Sequence, residues 1–391
     1  MTSQTRTALV VGGGIAGSIV AMALRKAGIE ATVHEAYRTT ADGIGGGLSL
    51  APNGVNALDA IDVGEAVRRV GIPMRGTVLH SGDGNVLGEL SFPADLPPSR
   101  FIWRGDLYRT LYDEATRRGI RTLHDKRLIG AEETADGVTA HFDDGTRATA
   151  DILIGTDGIR STVRTLIDPA APQPQYAGLL GFAAQLGDTG LAPTQGKLHV
   201  HYDTRASFGH LVHADSSGGW FVNLPHPEPM TLDQARAVGN EEWLTVLREA
   251  FTGDDRSPAV DMLASTGPAD LLITGPLETM PTVPTWSRGR MVLVGDAVHA
   301  ASPSSGQGAS QAVESSVQLA RCLRDLPYEE AFSAYEELRR ARVERIIENA
   351  TRTNASKAGA RGGSDLKPAN MDWQFTYRID WDTPVTARAD A

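Results

Sequence analysis

A carboxylate, Asp296, follows the apolar run Met291-Val292-Leu293-Val294, and ten residues later the chain reads Gly306-Gln307-Gly308 ahead of a helical pattern. Each feature suits a ligand. An apolar run of this length reads as a strand covered on both faces, which leaves Asp296 at its carboxyl end as an acceptor for a hydroxyl. A helix that starts after Gly308 offers backbone N–H groups without intrahelical partners, and the positive end of its dipole, to something anionic. Ala309, Ala312, Val313 and Leu319 provide the small and apolar positions of that helix, and Pro303 lies in the loop before it.

A second constellation opens the chain. Thr7–Val11 reads as a short apolar strand, and Gly12-Gly13-Gly14-Ile15-Ala16-Gly17 follows it as a GxGxxG. A helical pattern then runs to about Ala27, with Gly28 where a C′ glycine would end it. Ala31–His34 reads as the next strand and closes on Glu35, 23 residues after Gly12. Strand, glycine turn, helix, strand and terminal acid together form a βαβ dinucleotide unit. Gly12 permits the tight turn, Gly14 lets a pyrophosphate approach the backbone, Gly17 lets helix and strand pack closely, and Glu35 accepts from a ribose.

The rest of the chain must position these groups. With 391 residues, 41% hydrophobic and 22% charged, it has the composition of a globular protein with a large core. A net charge of -11 argues against nucleic acid and against an anionic membrane surface. No apolar run is long enough to cross a membrane, and the start is too short and polar for a signal peptide, so a cytoplasmic location is expected. The single cysteine, Cys322, falls in the helical run after Gly308 and reads as a buried structural thiol. No metal site is expected.

Gly43–Leu50 reads as a glycine-rich extended stretch and Gly54–Ile61 as a short helix. Residues 76 to 92 read as a hairpin turning at Asp83-Gly84, and a helix begins at Arg104. Strands follow near Val138–Phe142 and Ala148–Ile154. Between about Asp168 and Trp286 the character changes, with strand-like runs at Leu179–Gln185, Lys197–Tyr202, Phe208–His213, Trp220–Leu224 and Leu271–Thr279. A helix from about Thr231 to Phe251 separates the last two. This reads as a mainly antiparallel sheet inserted into the nucleotide fold. A charged helix, about Glu329 to Ala355, comes next. Ala358–Ser364 reads as flexible, and the tail clusters Trp373, Phe375, Tyr377 and Trp381.

Three motifs, GGGIAG at the start, GTDGIRSTVR at 155–164 and GDAVHAASPSSGQGASQA at 295–312, stand in the order and spacing of one family. The chain resembles the class A FAD-dependent monooxygenases of the p-hydroxybenzoate hydroxylase type, which include salicylate hydroxylases, kynurenine monooxygenase and tetracycline-degrading monooxygenases. The likeness covers roughly residues 7 to 355. It implies an α/β architecture: a Rossmann-like FAD-binding fold of residues 1–75, 100–167 and 287–325, an antiparallel substrate domain of residues 76–99 and 168–286, and a C-terminal helix and tail, 326–391.

The resemblance also assigns roles. Gly12, Gly14 and Gly17 would line the FAD pyrophosphate and Glu35 the adenosine ribose. Arg104 would reach the phosphate or ribityl side, and Asp296 the ribityl hydroxyls. Asp157 and Gly158 belong to a motif linked with both FAD and the nicotinamide nucleotide. Pro303 and the Gly306–Gly308 turn would border the isoalloxazine, and with His213 they form the expected catalytic set. Ile15, Ala16, Arg38, Gly47, Gln307 and Ala309 complete the expected cofactor-binding set. Two features depart from the family pattern: Ala36-Tyr37 intervene before Arg38, and the glycine-rich stretch before Leu48 lacks an arginine.

The implied reaction uses NAD(P)H, with NADPH ahead of NADH, to reduce non-covalent FAD. Oxygen is then activated at flavin C4a, and one atom is inserted into an aromatic or polycyclic small molecule, by hydroxylation or, next, epoxidation. A reduced flavin is anionic at N1/O2, so the helix start after Gly308 would stabilise it by about 0.3–2 kcal/mol. Strand alternation nominates Leu211, His213, Trp220 and Val222 as pocket-lining residues, and His213 is the candidate base, its unperturbed pKa near ~6.5 suiting proton transfer. A monomer or homodimer is expected. A related flavin oxidoreductase without oxygen insertion, or a non-catalytic FAD-binding paralogue, remains the alternative reading.

Overall fold

Thr7–Val11 lies inside a six-stranded sheet, pairing in parallel with Glu30–His34 on one side and Ile152–Gly155 on the other. Ile152–Gly155 pairs in turn with Met291–Leu293, and Arg121–Leu123 extends the other edge. Four segments far apart in sequence thus end side by side, which brings the glycine turn after Val11, the 155–164 motif and Asp296 to one end of the sheet. Their strands are buried without alternation, as expected where helices cover both faces. This computed structural model describes residues 4–39, 45–93, 95–203, 205–252, 258–358 and 372–386. The expected flexible stretch at 359–364 and part of the glycine-rich stretch, residues 43 and 44, lie outside the described residues.

The helix Ile15–Lys26 and the helix Gly308–Asp325 pack against each other beside this sheet. Their approach is close because Gly295 faces Ala16 and Ala312, and Ser316 Oγ donates to the Ala16 carbonyl at 3.3 Å. Buried Cys322 sits in the second of these helices, its thiol pushed up to about 12 by desolvation.

A seven-stranded sheet carries the insert. From one edge to the other its strands are Leu272–Thr279, Gln175–Leu186, Gly218–Pro225, Ser207–Val212, Lys197–Tyr202, Gly76–Ser81 and Val86–Ser91. The hairpin at 76–91 therefore belongs to this sheet, joined through a parallel pairing with Lys197–Tyr202. One face packs Phe182, Phe208, Trp220 and Val222 against Trp243, Leu244, Leu247, Phe251 and Met262 of the helices that follow.

Three expectations need correction. The strand expected over Ala148–Ile154 is two, Arg147–Ala150 and Ile152–Gly155, in different sheets. The chain pivots at Asp151, whose carboxylate accepts from the Arg6 and Thr7 amides at 2.7 and 2.8 Å. The helix expected over Thr231–Phe251 is also two, Leu232–Val238 and Asn240–Ala250. Gly239 breaks it at φ +96°, a conformation closed to a right-handed helix. Finally, Asp296 begins a four-residue helical turn, Asp296–His299, where only a loop was expected.

The helix Tyr328–Ala358 runs back across the molecule, and the tail segment 372–386 docks on it through arginines. Arg342 donates to the carbonyls of Trp373 and Gln374, and Arg324 of the preceding helix Gly308–Asp325 lies over the Trp381 ring. No helix among the described residues is long and apolar enough to cross a membrane.

Candidate flavin site

Gly12 turns the chain at φ +100°, with its amide donating to the His34 carbonyl at 2.8 Å. A side chain there would meet the backbone of Thr156 and Asp157, so the first turn and the 155–164 motif are in contact only because Gly12 has none. Gly14 is different: a Cβ on it would meet nothing within 4 Å. That is open space beside backbone N–H groups at the start of a helix, the setting a pyrophosphate needs. Ile15, Ala16 and Gly17 form the first turn of that helix.

Glu35 is buried and organises the glycine loop. Its Oε2 accepts from the Gly13 amide at 2.6 Å and Oε1 from the Tyr37 amide at 2.9 Å. Each carboxylate oxygen keeps further lone-pair capacity for a ribose hydroxyl. Arg38 points elsewhere, into an exposed ion pair with Asp125 at 3.3 Å.

Asp157 is likewise engaged with its own backbone. It accepts from Ser161 Oγ at 2.5 Å, Thr162 N at 2.7 Å and Val163 N at 3.1 Å, and so fixes the start of the helix Thr162–Ile167. Desolvation pushes its carboxyl up, against these hydrogen bonds. Gly158, at φ +77°, has open space around it.

Asp296 combines two properties that rarely coincide. It lies deep enough for desolvation to push its carboxyl up, yet the side chain is reachable by solvent. A deep carboxylate with access to solvent lines a cavity. The Arg104 guanidinium acts against that shift, and the Arg104 aliphatic stem lies where a side chain on Gly45 would go. Gly47 is exposed, its strand pairing it with Trp103.

The loop Ser302–Gly308 leads from the Asp296–His299 turn to the next helix. Pro303 opens a single 3₁₀ turn, and Gly306 ends it in the left-handed conformation at φ +60°. Gln307 is buried, while Gly308 and Ala309 begin the helix whose first N–H groups have no intrahelical acceptor. A buried polar network braces the loop from behind. Asn53 Nδ2 donates to Gln307 Oε1 at 3.0 Å and to Glu314 Oε1 at 2.5 Å, and Glu314 is paired with Arg339 at 2.5 Å and Arg342 at 2.9 Å. Burial raises the Glu314 carboxyl, and the two guanidiniums more than reverse this, leaving it below its ordinary range. His299, buried beside Trp286 and 2.8 Å from Ser315 Oγ, belongs to this structural layer, its imidazole lowered to about 3 by desolvation.

The residues present fit FAD: a glycine loop with free space at Gly14, a buried ribose acceptor at Glu35, a solvent-reachable carboxylate at Asp296 under the influence of Arg104, and a helix start at Gly308. A model of FAD-binding domains, described as such, matches residues 5–209 and 279–350. The chain belongs to the class A FAD-dependent monooxygenases. It is 31% identical to 6-hydroxynicotinate 3-monooxygenase of Pseudomonas fluorescens, covering 88% of this chain and 90% of that one. It is also 31% identical to an FAD-dependent urate hydroxylase of Klebsiella pneumoniae, covering 81% of each. The structure of Klebsiella pneumoniae HpxO complexed with FAD and uric acid superposes with a TM-score of 0.80 at 25% identity, covering 92% of this chain and 90% of that one. The protein is accordingly an FAD-dependent monooxygenase, with NAD(P)H as co-substrate.

Strand register separates the residues nominated for the substrate. Leu211 lies opposite Gly219, whereas His210 lies opposite Trp220, and Phe208 opposite Val222. Trp220 and Val222 therefore leave the sheet on the helix side. There Trp220 Nε1 donates to Thr266 Oγ1 at 2.9 Å, so neither residue shares the face of Leu211. His213 stands in the turn that closes the hairpin, its amide donating to the Ser217 carbonyl at 2.7 Å.

The face of Leu211 carries Gly181, Ala183 and Gly219. A Cβ on Gly219 would lie 3.3 Å from the Trp103 ring, and one on Gly46 would meet Thr274 and Ala183. This is the face that meets the cofactor fold. Trp103 went unnoticed in the sequence because no motif marks it; its position immediately before Arg104 was the available signal.

Lys357 was also missed. It sits one residue from the end of the helix Tyr328–Ala358, donates to Ser304 Oγ at 3.0 Å, and has its ammonium lowered to about 8 by desolvation.

Proposed function

We propose that this enzyme hydroxylates a small aromatic compound bearing a carboxylate or phenolate, bound between the flavin loop and the glycine-lined face of the insert sheet. Residues 1–75, 100–167 and 287–325 form the FAD-binding domain in this reading, residues 76–99 and 168–286 the substrate domain, and residues 326–391 the C-terminal helix and tail. FAD supplies the redox and oxygen chemistry when bound. The chain supplies position, exclusion of water and electrostatics.

The observation that carries the reading is Lys357. Its ammonium donates to Ser304 Oγ of the 302–308 loop, and in this reading it pairs with an anionic substituent of the substrate and fixes which ring carbon faces the flavin. The relatives named for hydroxynicotinate and urate suit the same chemistry. The absence of a side chain at Gly219 lets Trp103 approach the sheet closely, and Trp103 offers an aromatic wall for a planar ring. NADPH is the expected electron donor. A single buried cysteine suits the cytoplasm, and a monomer or homodimer suffices because one chain carries every group named here.

Substrates are found by NADPH oxidation across a set of aromatic acids, phenols and neutral analogues. Lys357→Met should then raise KM for the anionic substrate about ten- to hundred-fold, the scale of a charge-assisted hydrogen bond. Neutral analogues should be unaffected. In the native enzyme, KM for the anion should rise as pH passes through about 8, where Lys357 loses its proton, and the variant should lack that step. An unchanged KM in the variant counts against the assignment.

A further inference from the structure

Four histidines converge on the insert sheet, on the face turned away from Leu211 and Gly219. His201 lies opposite His80 and His199 opposite His210, so all four side chains leave the sheet on one side. His80 Nε2 is 3.1 Å from His199 Nδ1. The His80 and His201 rings stack with centroids 4.4 Å apart, and His210 stands behind them, 5.2 Å from His199 and 5.4 Å from His201. One ring nitrogen from each of His80, His199 and His201 falls within 4.8 Å of the other two.

A hydrogen bond between His80 and His199 accounts for only part of this cluster. His201 is 5% exposed, and neither of its ring nitrogens has a hydrogen-bond partner. Nδ1 of buried His210 lacks one too. Buried polar nitrogens are ordinarily satisfied, and the unpartnered nitrogens of His201, one of them within 4.8 Å of ring nitrogens of His80 and His199, call for a ligand. Lys197, on the same face, is tied to Glu89 at 2.7 Å.

We propose that His80, His199 and His201 form a site for a divalent transition-metal ion of the zinc type, which staples the hairpin at 76–91 to the strand Lys197–Tyr202. Imidazole is a ligand suited to zinc, copper and nickel. A metal–nitrogen bond of about 2.0–2.1 Å sets tetrahedral ligand nitrogens ~3.3 Å apart, close to the spacing of His80 and His199, and rotation of the rings brings in His201. His80 and His199 are only partly buried, which gives the ion a path from solvent and leaves a fourth position for water. The site lies across the sheet from the substrate face, so its role is structural and separate from the flavin chemistry.

The test uses the FAD-loaded protein, freed of metal by dialysis against a chelator. Zn²⁺ is titrated in competition with a chromophoric chelator, and Co²⁺ is added separately to read its visible absorption. One equivalent of Zn²⁺ should bind per chain and raise the thermal midpoint. His80→Gln and His199→Gln should each abolish that equivalent and the thermal rise, with flavin absorbance unchanged as a sign of an intact fold. His226→Gln, outside the cluster, should bind as the native protein does. Native binding no tighter than in the double variant H80Q/H199Q would overturn the site, and a midpoint unmoved by bound zinc would overturn the staple.

Discussion

The two faces of the seven-stranded insert sheet are built from the same strands and have opposite character. Phe182, Phe208, Trp220 and Val222 fill the helix side, where the space is closed by Trp243, Leu247 and Phe251. Gly181, Ala183 and Gly219 alternate with them on the side that meets Gly46 and Trp103 of the cofactor fold. Large residues fill the side that packs against the helices, whereas the other side mixes these small residues with Leu211 and Phe221. The contrast implies that substitutions on the first face act on stability and those on the second act on ligands.

The largest expected effect tests the packed face. Phe182 is 1% exposed, with its ring 4.9 Å from that of Trp243. Phe182→Ala should cost about 3–5 kcal/mol of unfolding free energy by the usual measure for a buried aromatic. Denaturant titration should show it, while KM measured well below the transition stays unchanged. A KM that moved with little loss of stability would invert the comparison.

The cavity side gives the next effect. Asp296→Ala should weaken FAD retention by about 1.5–3 kcal/mol, the value of a hydrogen bond to a charged acceptor. Equilibrium dialysis should read this as a Kd higher by roughly ten- to hundred-fold, with the apoprotein still folded. FAD held as tightly as before would place the cofactor elsewhere. The smallest effect sharpens the boundary between the faces. Trp220→Phe removes the hydrogen bond to Thr266 and part of a buried ring, and should cost about 1–3 kcal/mol of stability without changing substrate preference. A shifted preference would put Trp220 back in the pocket.

The cofactor fold was more legible in the sequence than the insert, for a physical reason. Binding a pyrophosphate requires backbone amides at close range, which demands glycines at fixed spacing, so Gly12, Gly14, Gly17 and the Gly306–Gly308 turn announce themselves. A pocket face demands only smallness and a parity. Trp220 and Val222 read as lining residues because alternation defines two faces without saying which is which. The pairing of His210 with Trp220 decides it, and pairing is a long-range fact. The same limit hid the approach of His80 to His199, 119 residues apart, and that of Lys357 to Ser304, which needs the full run of the last helix. Gly239 and Asp151 were visible as residues, but the break and the pivot they make depend on φ and on partners across the sheet.

The central claim is that this cavity inserts an oxygen atom from dioxygen into an aromatic substrate. Turnover of a substrate under heavy-isotope oxygen gas, followed by mass spectrometry of the product, tests it most directly. The account predicts one labelled atom per product molecule, with NADPH consumed and no label acquired from heavy-isotope water. Label arriving from water instead, or NADPH consumed with no oxygen gained by the product, would contradict it.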